Sequence, residues 1–163
     1  MKIGVALGSN LGDRRKSLDA AVAYLRTLSP EVRVSSYYAT APVDCPPGSE
    51  EFLNAVAEIE FADGVSYLLQ QFHQYEREQG RLDVRSHNEP RPIDLDILYA
   101  GELEMQTSRL ILPHPRLAER LFVLEPLAEI APDRVIPGTG QTAGQLLASC
   151  REKLSDQICR KIE

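Results

Sequence analysis

Four short apolar segments alternate with two amphipathic ones in an order that few folds satisfy. Lys2 to Gly8 is small and β-branched, and "GSNLGD" interrupts it. From about Arg14 to Leu28, Leu18, Ala21, Val22, Leu25 and Leu28 recur at helical spacing behind Asp13, a suitable N-cap. "VRVSSYYATAP" reads as one long strand up to Pro42, "VDCPPGSEE" as a loop, and "FLNAVAEIEF" as a third strand. Asp63 is placed to cap a second helix, Val65 to about Gln79, with Gly80 at its end. The fourth strand is "RPIDLDILYAG", Arg91 to Gly101.

This β-α-β-β-α-β order predicts an α+β protein with a ferredoxin-like core, an antiparallel sheet with helices packed on it. A C-terminal extension follows: "RLILPHP", a helical turn near Leu117 to Leu121, the apolar "LFVLEPLAEIAP", and a last helix near Thr142 to Leu154. It is too small for a core of its own, so residues 1–163 are expected to form one domain.

The fourth strand carries the first chemical signal. Period-two alternation puts Ile93, Leu95, Ile97 and Tyr99 on one face and Asp94 and Asp96 on the other. Strands are depleted in aspartate, and neighbouring like charges repel. Two carboxylates with Cα atoms about 6.6 Å apart are too few for a calcium cage. They suit magnesium when substrate phosphates supply the other ligands. A solvent-facing strand with two hydrated acids accounts for the bare pair equally well.

The preceding segment, "YEREQGRLDVRSHNEPRP", adds Arg77, Arg81, Arg85 and Arg91 among as many acids. Arginine forks match phosphate oxygens, which points to a polyphosphate ligand. "LPHPRLAERLF" adds His114, Arg116, Arg120 and Phe122. The net charge of −6 argues against nucleic-acid partners and anionic membranes. No segment has the length of a membrane span or the pattern of a signal peptide. The cysteines Cys45, Cys150 and Cys159 have no metal-type spacing, so free thiols in the cytoplasm are expected. No Ser-His-Asp or Cys-His arrangement stands out, so covalent catalysis is not expected.

"GSNLGD", "FLNAV", "YEREQGR", "PRPIDLDILYAG" and "LPHPRLAERLFVLEPLAEIAP" occur together, in an order and spacing that resemble the 6-hydroxymethyl-7,8-dihydropterin pyrophosphokinases of folate biosynthesis. The resemblance spans essentially the whole chain. It implies transfer of pyrophosphate from ATP to the hydroxymethyl group of the dihydropterin, with release of AMP. Asp94 and Asp96 would hold two magnesium ions, and with Arg81 and Arg91 would form the catalytic set. The ATP-binding residues implied are His73, Glu76, Arg81, Arg85, Arg91, Ile97, Arg109, His114 and Arg120. The pterin-binding residues implied are Gly8, Thr40, Val43, Phe52, Asn54, Asp94 and Phe122. Phe52 and Phe122 would stack on the ring, Asn54 would read its edge, and Gly8, Ser9 and Asn10 would line the floor. Asp83, Asn88 and Glu89 depart from the usual residues of the loop before the strand. Two other classes remain open on residues alone: a metal-dependent enzyme acting on other nucleotides, and a non-catalytic ligand-sensing domain.

Overall fold

The computed structural model describes residues 1–40, 51–80, 92–153 and 159–162. Strand β1 (Lys2–Ser9) leads into helix α1 (Arg14–Leu28), whose first turn is capped by the Asp13 carboxylate accepting from Lys16 N at 3.1 Å. The segment expected as one long strand is two, β2 (Val32–Val34) and β3 (Tyr37–Thr40). Ser35 and Ser36 divide it because their hydroxyls take over the backbone's bonding: Ser35 Oγ accepts from Val56 N, and Ser36 bonds the Glu129 carboxylate. Strand β4 (Phe52–Glu60) and helix α2 (Val65–Glu78) follow. The N-cap of α2 is Gly64, without a side-chain cap, so the expected capping by Asp63 is not formed. Gly80 follows the helix in the left-handed conformation.

Strand β5 (Asp94–Ala100) completes the core at one edge of the sheet. Beyond it lie a hairpin of β6 (Met105–Gln106) and β7 (Ile111–Leu112), a 3₁₀ turn (Leu117–Glu119) and helix α3 (Leu121–Ile130). A second hairpin, β8 (Val135–Ile136) with β9 (Gln141–Thr142), leads to α4 (Ala143–Lys153) and then β10 (Cys159–Ile162). Helix α3 was readable only as an apolar stretch, because Pro126 lies inside it and has no N–H for the turn before. The sheet path is β10-β3-β4-β1-β5, with β2 beside β4, and the pairings between these strands are antiparallel.

Two cores sandwich the sheet. Helices α1 and α2 cover Ile3, Val5, Leu7, Leu53, Ala55, Ile59, Leu95 and Ile97. The extension covers part of the other face, around Val56, Leu98, Tyr99, Leu121 and Leu124. This explains why β4 is buried along both faces. Burial of apolar surface contributes about 25 cal/mol per Å² on each side.

Tyr99 is not on the face the alternation assigns to it. The β1–β5 register slips between Gly4 and Val5, so that Gly4 pairs with Tyr99 and Val5 with Ile97. Leu98 is the extra residue of a bulge, and beyond it the side chains change faces. Tyr99 therefore joins the extension-side core, and its ring lies on Gly4. A Cβ on Gly4 would sit 2.6 Å from Tyr99 Cζ. The ring cannot retreat, because its hydroxyl donates to Glu58. Gly4→Ala is expected to cost about 2 kcal/mol through overpacking, read as a fall in Tm of roughly 6 °C. An unchanged Tm would show that the bulge yields.

Candidate functional site

Strand register assembles a second part of the extension-side face. Tyr38 pairs with Asn54, Asn54 with Gly8, and Gly8 with Asp94. Directly paired residues share a face, so these four make one row across four strands. Flanking rows are Thr40 with Phe52, and Val56 with Ala6 and Asp96. At about 4.8 Å between strands, Asn54 and Asp94 stand roughly 10 Å apart, with Gly8 between them. Gly8 gives the trough a floor of bare backbone: a Cβ there would lie 3.1 Å from Asn54 Oδ1 and 3.8 Å from Phe52 Cδ1. Ser9, by the same alternation, turns to the helix-covered face and is fully buried. It does not line the floor.

The Asn54 amide is oriented by its neighbour. Its Nδ2 donates to Thr40 Oγ1 at 2.8 Å, both residues being buried. One amide hydrogen and the carbonyl oxygen remain for a ligand edge carrying both an acceptor and a donor. Phe122 lies in the first turn of α3, with the Arg120 guanidinium 5.3 Å from its ring centroid.

Asp94 and Asp96 are half-buried beside this trough. On the other side of β5 lies a cavity of about 320 Å³, lined by His73, Glu76, Asp96, Ile97, Arg109 and His114 among others. Five residues assigned to ATP by resemblance thus line one cavity, and Asp96 joins it to the pair of aspartates. Arg109 is presented by a tight turn in which Thr107 N donates to Leu110 O at 3.0 Å and Thr107 Oγ1 accepts from Leu110 N. Ile97 is buried on the helix side, and Glu76 accepts from Leu95 N. Arg81, Arg85, Arg91 and Val43, with Asp83, Asn88 and Glu89, lie outside the described residues.

His114 hangs from the sheet edge, its N–H donating to Leu98 O at 2.8 Å. Its Nδ1 accepts from Arg116 N at 3.1 Å, which assigns the ring proton to Nε2. Burial lowers its pKa, the charges of Arg120 and Arg116 lower it further, and Asp94 opposes them. The imidazole is therefore neutral at pH 7, a donor through Nε2–H. Burial also lowers the Arg120 pKa, followed by repulsion from Arg116, whereas Asp96 and Asp94 hold its charge. Arg120 thus lies within electrostatic reach of both aspartates. Arg116, near His114 and Arg120, is a cation the sequence reading left without a role. Its spacing behind His114 was the available signal.

The donor set fits magnesium. Two carboxylates share a face, the residues opposite them are only Gly8 and Ala6, and both acids remain open to water. Among the described residues no group of three or more His, Cys, Asp or Glu converges. Phosphates and water would complete the shell, as suits an ion that keeps part of its hydration.

Residues 4–132 match the family described as 7,8-dihydro-6-hydroxymethylpterin-pyrophosphokinase. The 2-amino-4-hydroxy-6-hydroxymethyldihydropteridine pyrophosphokinase of Bacillus subtilis is 46% identical over 129 residues, 77% of this chain and 75% of that one. The Pseudomonas aeruginosa protein of the same name is 40% identical over 153 residues, 91% of each chain. Among solved structures, Plasmodium falciparum HPPK-DHPS with pterin and p-hydroxybenzoate superposes with a TM-score of 0.68 at 13% identity, over 95% of this chain. This chain spans 44% of that longer one, and the likeness shows the shared fold. The chain belongs to the 7,8-dihydro-6-hydroxymethylpterin-pyrophosphokinase family.

Proposed function

We propose that the trough and the adjoining cavity bind 6-hydroxymethyl-7,8-dihydropterin and ATP side by side, and that the protein transfers pyrophosphate between them, releasing AMP. The observation that carries this reading is the row Asn54, Gly8, Asp94. It offers an amide reader, a flat floor and a carboxylate to a heterocycle whose reactive arm would point at the phosphate side. Phe52 and Phe122 would supply the stacking faces and Thr40 would hold Asn54, with Val43 contributing a further contact to the pterin. His73, Ile97, Arg109, His114 and Arg120 would make the nucleotide side, together with Arg81, Arg85 and Arg91.

Asp94 and Asp96 would hold two magnesium ions, whose charge would neutralise the triphosphate. The chain's own task is positioning. The substrate hydroxyl forms a bond to the β-phosphorus and gives up its proton to solvent, as the bond from the β-phosphorus to the α,β-bridging oxygen breaks and AMP leaves on that oxygen. Phosphoryl-type transfer passes through a loose transition state, so in-line placement matters more than a strong base. Arg109 and Arg120 would take up charge on the phosphate oxygens. His114 would donate Nε2–H to one of them, the ring nitrogen left free to do so by the bond from Arg116 N to Nδ1.

No helix among the described residues is long and apolar enough to cross a membrane, and both proposed substrates are small molecules. The test is to incubate the protein with ATP, magnesium and the dihydropterin. AMP should form only when all three are present. AMP formed without the pterin, or none at all, would favour another nucleotide chemistry or a sensing role.

A further inference from the structure

Glu76 is 2% exposed, yet it is a carboxylate. Burying such a group is costly unless hydrogen bonds replace its water. One of these bonds is to the backbone: Oε2 accepts from Leu95 N at 2.7 Å. The location is specific. Among the described residues β5 is the outermost strand of the sheet, with no further strand beyond it to accept its outward N–H groups. Glu76, from α2, occupies the place of that missing strand at the residue between Asp94 and Asp96. The Leu95 side chain is buried on the helix side, so both ends of this residue are anchored while its neighbours project to the other face.

We propose that Glu76 is a positioning residue: it fixes the peptide plane between Asp94 and Leu95 and so aims the two carboxylates. The inference rests on the proposed function of the site. It gives Glu76 a task distinct from touching the nucleotide. Outer partners of this kind typically govern metal affinity by 10- to 100-fold. The carbonyl oxygen of a glutamine can accept the same bond, whereas alanine cannot.

The test compares Glu76→Ala and Glu76→Gln with the parent in three measurements: Leu95 amide hydrogen exchange by NMR, magnesium affinity at saturating α,β-methylene-ATP, and AMP formation. Alanine should speed Leu95 exchange and weaken magnesium binding about tenfold or more. Glutamine should stay within about threefold of the parent in both. If alanine does not fold, the glutamine variant decides alone, because it keeps the acceptor. A glutamine variant that binds magnesium or analogue about tenfold more weakly while Leu95 stays protected would overturn the inference, since the charge would then act on the ligand. Unchanged magnesium affinity in alanine would overturn it too. Failure of the parent to form AMP would instead overturn the reading of the site.

Discussion

Asp96→Ala is expected to lower kcat/KM by about 10³-fold, roughly 4 kcal/mol of transition-state stabilisation, while Tm stays within a degree or two of the parent. The two carboxylates sit half-buried on one strand face, two residues apart, where like charges oppose each other by a few tenths of a kcal/mol. Arg120 offsets part of that repulsion, its charge being held by both acids. Removing one carboxylate relieves the first interaction and weakens the second, and these two changes nearly cancel. Asp94→Ala should lose activity to a similar degree but differ in its binding profile. Asp94 shares a row with Gly8 and Asn54, whereas Asp96 pairs with Ala6 one row further along and lines the cavity proposed for the nucleotide. Calorimetric titration with pterin alone should show weaker binding for the Asp94 variant and parent-like binding for the Asp96 variant. Activity within tenfold of the parent in both would remove the metal assignment.

What could be read from the sequence follows from which interactions are local. Helix α1 ran over the expected residues because its apolar spacing and the Asp13 cap agree. The sharing of a face by Asp94 and Asp96, and by Phe52 and Asn54, needed only the period of a strand. The row joining Asn54 to Asp94 through Gly8 was not readable, because it depends on the register of three strands distant in sequence. The break at Ser35 and Ser36 was hidden because it depends on Glu129, more than ninety residues away. Tyr99 was misplaced for a related reason. A bulge leaves no mark in an alternating pattern, and the glycine that accommodates it, Gly4, is on another strand. Glu76 was assigned to the nucleotide through family likeness, and nothing in the spacing of α2 connects it to Leu95.

The face change at Tyr99 is held by an ionic clasp between buried Glu58 and partly exposed Arg134, and its loss should be a large stability effect. Arg134 donates from Nε at 3.0 Å and from Nη2 at 2.8 Å to the two oxygens of Glu58, whose side chain is 6% exposed. Tyr99 donates to the same carboxylate. Burial pushes the Glu58 pKa up, but the bonds from Arg134 and Tyr99 outweigh it and leave the group below its ordinary value. Arg134→Ala would strand the charge. Breaking such a pair costs about 3–5 kcal/mol when both partners are buried, and about 3 kcal/mol is expected here because Arg134 is partly exposed. Tm should fall by roughly 9 °C. The pH dependence gives the clasp a distinct signature. In the parent the folded pKa lies below the unfolded one, so the clasp's contribution is complete above the ordinary carboxylate pKa and is lost as pH falls through the folded value. In Arg134→Ala the burial is no longer compensated, the folded pKa moves up, and stability declines as pH rises through it. The gap between the two proteins should therefore be widest near pH 7 and narrow toward pH ~3.5 in urea unfolding. Glu58→Gln in the Arg134→Ala background should recover part of the loss at pH 7, since it removes the stranded charge while keeping a partner for Tyr99. A gap that does not change with pH would mean that Arg134 stabilises the extension through packing rather than through the charge of Glu58.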